Sequence, residues 1–211
     1  AQAAGFQAIV MPGFNRRFAP HVLRMQALLS ARPGPKSFVM TVNAGAIPPD
    51  HWTQDPDVGG GRIVGEACHF VDLLRYLSGS PIARTHGFRF GRAPGLKVRE
   101  DHATLVLEFQ DGSVGTIHYL ASGHRSLSKE RLEVFSGGAV LQLDNFRRLR
   151  GFGWPGFSAM NRWRQDKGNA AGIAAGIAAV AAGGPSPIPL ADAVEVTLAT
   201  FDAVEAMHPS V

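Results

Sequence analysis

A chain of 211 residues with 45% hydrophobic content and a mean hydropathy of +0.01 has enough apolar material for one well-formed core, which excludes disorder as its default state. Its 21 Lys plus Arg stand against 17 Asp plus Glu, a mild excess scattered except for Arg16-Arg17 and Arg147-Arg148 with Arg150, and this is not the basic stripe of a nucleic-acid binder. The single cysteine, Cys68, excludes an intramolecular disulfide framework and cannot make a zinc site, so no metal is expected and a cytoplasmic location fits best.

Residues 6–14 predict a short buried strand ended by Pro12 and Gly13, and residues 20–31 carry Val22, Leu23, Gln26, Ala27 and Leu29 at helical spacing before Pro33-Gly34-Pro35 stops them. The early strand and the start at Ala1 suggest a remnant, residues 1–14, of a preceding domain, with one globular unit over residues 15–211. Residues 37–44 are β-rich, and residues 47–52 read as an irregular loop. Gly59-Gly60-Gly61 then opens a helix over residues 62–77, with Ile63, Ala67, Phe70, Val71, Leu74 and Leu77 on one side and Gly79 where a helix end expects it.

From Ile82 the period changes to two. Ala103, Leu105, Leu107 and Phe109 face one way, Asp111-Gly112 makes a turn, and residues 114–120 return as the second arm of an antiparallel hairpin. Further strands are predicted at residues 132–136, 140–143 and 146–149, then a loop without clean period at residues 151–167, then closing helices at residues 169–182 and 191–207. The apolar stretch within residues 170–182 is only about a dozen residues long, short of the roughly 20 that span a membrane. The expected fold is α+β: a large, mostly antiparallel sheet with helices packed on one face.

Gly59-Gly60-Gly61 fails the G-x-G-x-x-G spacing, because Val64 stands at the last glycine, and no strand precedes it. Its glycines fit close backbone packing and an open helix N-terminus better. Glu66, His69 and Asp72 follow at i, i+3 and i+6, opposite the apolar stripe. That is either a solvated polar face or a cleft in which His69 exchanges a proton with a substrate hydroxyl while Glu66 orients it or raises its pKa. Tyr119 alternates with His118 on a strand, so one of them faces the helices. Trp52 offers an apolar ring face for stacking on a sugar, and Arg17 and Asn15 sit just after a predicted strand end, where open α/β sheets contact ligands.

The segment from Gly59 to Leu74, GGGRIVGEACHFVDLL, resembles the hallmark of the C-terminal domain in the Gfo/Idh/MocA family of oxidoreductases, named for glucose–fructose oxidoreductase and inositol dehydrogenase. His69 matches the family's catalytic histidine and Asp72-Leu73-Leu74 its helix, while Gly65 replaces the family Asp, with Glu66 beside it. Gly13 to Phe18 resembles the exit of the last Rossmann strand, Asn43-Ala44-Gly45 to Trp52 the first substrate-domain strand and loop, Asp111-Gly112-Ser113 its hairpin, and Pro185 to Val196 its final helix. Asn-Arg-Arg-Phe together with Gly-Glu-x-Cys-His-Phe-Val-Asp is similar to a subgroup fused behind a zinc-type alcohol dehydrogenase module.

The resemblance implies the substrate-binding half of an NAD- or NADP-dependent oxidoreductase acting on a secondary alcohol of a sugar or cyclitol. His69 would be the base, Glu66, Asn43, Trp52, Arg17 and Tyr119 would contact substrate, and Asn15 would approach the cofactor. The family's Rossmann domain carries G-x-G-x-x-G and Glu-Lys-Pro, and neither occurs here: Lys36, Lys97, Lys129 and Lys167 lack the flanking Glu and Pro. The isolated chain is therefore expected to bind no cofactor and to be inactive. Its partners would be the polyol or sugar, the missing Rossmann domain and a second copy of itself, with no nucleic acid or membrane. The rival reading is a non-catalytic dimerisation or scaffold module working through a sheet face.

Overall fold

The computed structural model describes residues 9–48, 50–55, 58–90 and 102–208. Eight strands form one sheet in the order β2-β3-β4-β1-β5-β6-β7-β8: β1 (Ser37–Asn43), β2 (Ile82–Arg89), β3 (His102–Phe109), β4 (Val114–Leu120), β5 (Glu130–Ser136), β6 (Ala139–Asp144), β7 (Arg148–Phe152) and β8 (Ala159–Asn161). Every pairing is antiparallel except β1 with β4. Period-two alternation gives the sheet one apolar side: Phe38, Met40, Val42, Leu105, Leu107, Ile117, Val134 and Leu141 are all buried.

The helices α1 (Pro20–Ser30), α2 (Cys68–Ser78), α3 (Asn169–Ala182) and α4 (Leu190–Met207) complete the chain, with α2 on β4 and α4 on β2 and α2. The apolar stripe predicted for α2 is buried as expected, each large side chain contributing about 1.5–3 kcal/mol of burial, and Gly79 caps the helix in the left-handed region at φ 71°.

Three expectations need correction. The described part of the first predicted strand, residues 9–14, is not extended: Phe14 N–H and Asn15 N–H bond back two residues to the carbonyls of Pro12 and Gly13, so Pro-Gly turn chemistry overrides the apolar run, and residues 6–8 lie outside the description. A 3₁₀ turn, Asn15–Phe18, follows at once. The strand predicted at residues 146–149 starts two residues later, because Asn145 (φ 49°) and Phe146 (φ 54°) make a left-handed turn that drives the Phe146 ring into the core. The loop predicted at residues 151–167 hides the end of β7 and all of β8, which is too short to show a period.

The other side of the sheet is graded along the strands. One cross-strand row runs Glu108, Val114, Ser37, Phe135, Val140, Phe152, and two residues along the strands another runs Val106, Thr116, Val39, Glu133, Gln142. Val114, Phe135 and Phe152 are each more than 40% exposed, so the first row is an uncovered apolar band.

Candidate functional site

Helix α2 is entered through a π-helical turn, Ile63–Ala67, instead of a plain α-helical one. Gly59 packs so closely on the 3₁₀ turn Trp52–Gln54 that a Cβ there would lie 2.4 Å from Thr53 Cα, so that glycine serves backbone packing, as the failed fingerprint spacing suggested. The three polar residues Glu66, His69 and Asp72 do not form a solvated outer face. Asp72 is fully buried, with Glu66 and His69 half-buried beside it.

Glu66 is a node. Its carboxylate accepts from Tyr119 Oη at 2.5 Å, Lys129 Nζ at 2.7 Å and Arg62 at 3.1 Å. Burial alone would raise this carboxyl, but the hydrogen bonds from Lys129 and Tyr119 and the Lys129 charge outweigh it and bring the pKa down to about 2. Arg62 also donates to the Gly45 carbonyl at 2.7 Å and lies over the Tyr119 ring, 5.1 Å from its centre. Tyr119 has no exposed surface, so it acts on a ligand only through Glu66.

His69 sits edge-on to Phe14, ring centres 5.7 Å apart, and makes no hydrogen bond among the described residues; its Nδ1 is sealed from solvent without a partner. Burial first, then the nearby Arg16 charge, lower its pKa to about 4, against opposing pulls from Glu130 and Glu66. The ring is thus neutral at pH 7 and able to accept a proton. Arg16 is itself fixed by a two-pronged pairing with buried Glu130, both contacts at 2.8 Å, and Lys167 meets the same carboxylate at 2.6 Å. Cys68, next to His69, is no nucleophile, since burial pushes its thiol up to about 11.

The remaining predicted residues separate. Arg17 lies beside α2 with three contacts of 2.6 to 3.0 Å to Asp72 and one of 3.0 Å to Asp192. Burial raises the Asp72 carboxyl to about 6 in spite of Arg17, which leaves the pair ionised at neutral pH. Arg17 is an internal anchor, its side chain only 6% exposed. Asn15 fastens the first turn to the start of α3, donating to the Lys167 carbonyl at 2.7 Å and to Asn169 Oδ1, and it borders a cleft of about 320 Å³ with Met11, Ile173 and Gly176. Asn43 ends β1 and donates to the His124 and Leu127 carbonyls, holding the loop before β5 in place. Trp52 stands 62% exposed, tilted against His51, with its ring face available.

Sequence reasoning did not name Arg16, Glu130, Lys129 or Arg62 as parts of the site. Arg62 had a signal, its i, i+4 spacing to Glu66, whereas Glu130 meets Arg16 across 114 positions and Lys129 meets Glu66 across 63. Among the described residues no group of three or more His, Cys, Asp or Glu side chains could hold a metal, and no helix is long and apolar enough to cross a membrane.

A large, mostly antiparallel open sheet with helices α2 and α4 packed against it is the architecture of an oxidoreductase C-terminal domain. The GFO/IDH/MocA C-terminal domain model matches residues 32–142, and the chain belongs to that family. Its fold is similar to that of an oxidoreductase domain protein from Kribbella flavida (TM-score 0.80, 20% identity, 98% of this chain and 66% of that one). It is also similar to a levoglucosan dehydrogenase solved with NADH and levoglucosan (0.79, 18%, 96% and 65%). A third likeness is to the UDP-N-acetylglucosamine 3-dehydrogenase of Acidithiobacillus ferrooxidans (0.76, 18%, 97% and 63%). The chain therefore spans just under two thirds of each of these proteins. No curated protein matches it significantly.

Proposed function

We propose that this chain is the substrate-binding half of an NAD- or NADP-dependent oxidoreductase acting on a secondary alcohol of a sugar or cyclitol, with His69 as the base. The observation that carries this reading is the state of His69: an unpartnered, neutral imidazole on α2 within the electrostatic influence of the ionised Glu66 node. A neutral imidazole takes the hydroxyl proton as the carbonyl forms. Glu66, held by Tyr119, Lys129 and Arg62, presents a fixed negative charge that favours the imidazolium so produced. Exposed Trp52 supplies an apolar ring face for the sugar. The structural relatives solved with NADH and levoglucosan, or named for a UDP-sugar, favour a sugar alcohol as substrate.

The described residues do not fit a dinucleotide: no Gly-rich turn joins a strand to a helix, and Gly59 is filled by packing against Thr53. The hydride acceptor belongs to a Rossmann domain outside these residues, which supplies the redox chemistry. Two measurements test the assignment. The protein that includes this domain and its dinucleotide-binding partner domain should reduce NAD or NADP with a member of a polyol and sugar panel, and no turnover across that panel would overturn the reading. Isothermal titration of this chain alone should show no saturable binding of either cofactor; micromolar binding would mean that a nucleotide site exists within it.

The apolar row Val114, Phe135, Val140 and Phe152 supports pairing of the uncovered sheet side with a second copy, so that catalysis and assembly use opposite faces of one sheet. Sedimentation at micromolar concentration should show a dimer, and Phe135→Lys, at an exposed position, should give a folded monomer. A wild-type monomer would rule this out.

A further inference from the structure

We propose that the cleft beside Lys129 holds an anionic group of the substrate, so that the sugar taken by this domain carries a carboxylate or a phosphate ester; this rests on the sugar-binding reading above. The cleft, about 740 Å³, lies where β1 ends and the loop before β5 returns. Its wall is fixed. Asn43, 8% exposed, donates through Nδ2 to the carbonyls of His124 (2.9 Å) and Leu127 (3.1 Å), which sets the backbone of the loop. Gly123 presses so tightly on that amide that a Cβ would lie 1.8 Å from Asn43 Oδ1, and this oxygen has no partner.

The lining is rich in donors and poor in acceptors. Arg125 and Lys129 bring positive charge and no carboxylate lines the cleft. Glu66 compensates Lys129 at 2.7 Å, but Arg125 has neither an ion pair nor a hydrogen bond among the described residues. The exposed His124 ring meets Ser126 through Nδ1, with the Ser126 hydroxyl at 2.8 Å and its N–H at 3.3 Å. The Ser128 hydroxyl is also unpartnered. A neutral sugar would leave the Arg125 charge unmatched, whereas a carboxylate or phosphate fits its planar fork and accepts from the other donors. Lys129 lines this cleft and also donates to Glu66 at 2.7 Å, which ties the proposed anion site to the carboxylate node that precedes His69 on the chain.

The test is isothermal titration of this chain with glucose, glucuronate, glucose 6-phosphate and inorganic phosphate at constant ionic strength, with the His69 ring followed by NMR. One of the two anionic sugars should bind about tenfold or more tighter than glucose and than inorganic phosphate, and the one preferred identifies the group as carboxylate or phosphate. Arg125→Ala, at an exposed loop position where folding is not at stake, should reduce that affinity to the level of glucose. If glucose shifts the His69 resonances but the anionic sugars gain nothing, or if Arg125→Ala changes nothing, the proposal fails and the sugar reading stands. If inorganic phosphate binds as tightly as the sugar phosphate, the cleft takes a free anion and the proposal also fails. If no sugar moves the His69 ring, both readings fall.

Discussion

Replacing His69 with Ala in the intact enzyme is expected to lower turnover by about two or more orders of magnitude while cofactor affinity stays nearly unchanged, since a general base contributes about 10²- to 10⁴-fold and the histidine meets substrate, not dinucleotide. Steady-state kinetics beside a thermal melt decide it, and normal turnover in a folded variant would return His69 to a structural role. The same residue gives a pH signature in this chain. Its pKa falls from 6.5 to about 4 on folding, so between those values the unfolded chain binds the proton that the folded chain refuses. Stability should therefore drop as pH falls from 6.5 toward 4, with His69 accounting for up to about 3 kcal/mol at the acid end. Asp72 works the other way: its carboxyl is raised to about 6, so its contribution is largest below 3.8 and is lost as pH rises through 6. Glu66, lowered to about 2, stabilises above 4.5 and is lost as pH falls toward 2. Comparing wild-type and His69→Asn melts across pH 4 to 7 isolates the histidine, because the other two groups are common to both.

Much of the architecture could be read from periodicity because one side of each element faces a core. The hairpin of β3 and β4 and the stripe on α2 were legible for that reason, and helix α3 was bounded by Gly168 and Gly183. What failed was conformation decided by backbone and not by pattern. The π turn at Ile63–Ala67 leaves no mark in a hydrophobic count, and neither does the pairing of buried Asp72 with Arg17, where a solvated face was one of two expectations. The left-handed pair Asn145-Phe146 and the three-residue strand β8 were hidden for the same reason.

Of the residues singled out in sequence, Glu66 and Tyr119 meet directly: buried Tyr119, together with Arg62, holds the Glu66 carboxylate. In sequence Arg16-Arg17 is a small basic cluster, with Arg17 a candidate ligand contact just after a predicted strand end. In the fold both side chains are buried, each on a different carboxylate, because one 3₁₀ turn sends neighbouring residues to opposite sides of α2's entry.

The largest stability effect is expected at Glu130. Its carboxylate is 1% exposed and takes both prongs of Arg16 together with Lys167, so Glu130→Ala strands two cations, one of them almost wholly buried. Breaking a buried pair from one side costs about 3–5 kcal/mol, which for a chain of this size lowers the melting temperature by roughly 10 °C. Removing both partners is a different matter. Arg16→Leu with Glu130→Leu takes out the charge that needed compensation, and Lys167, with 23% of its side chain exposed, can turn toward water, so the double variant should recover most of the loss. Folding holds the Glu130 carboxyl below its ordinary range, burial being outweighed by Arg16 and Lys167, so its contribution is present above about pH 4.5 and disappears as pH falls through the folded value; the gap between wild type and Glu130→Ala should narrow there. The function moves with it. Glu130 is the strongest influence holding the His69 pKa up against Arg16, so in the intact enzyme Glu130→Gln should shift the acid limb of the kcat/KM profile to lower pH, while Leu132→Ala, a core truncation with no charge, should destabilise without moving that limb. An unchanged limb in Glu130→Gln would mean that Glu130 supports only the fold.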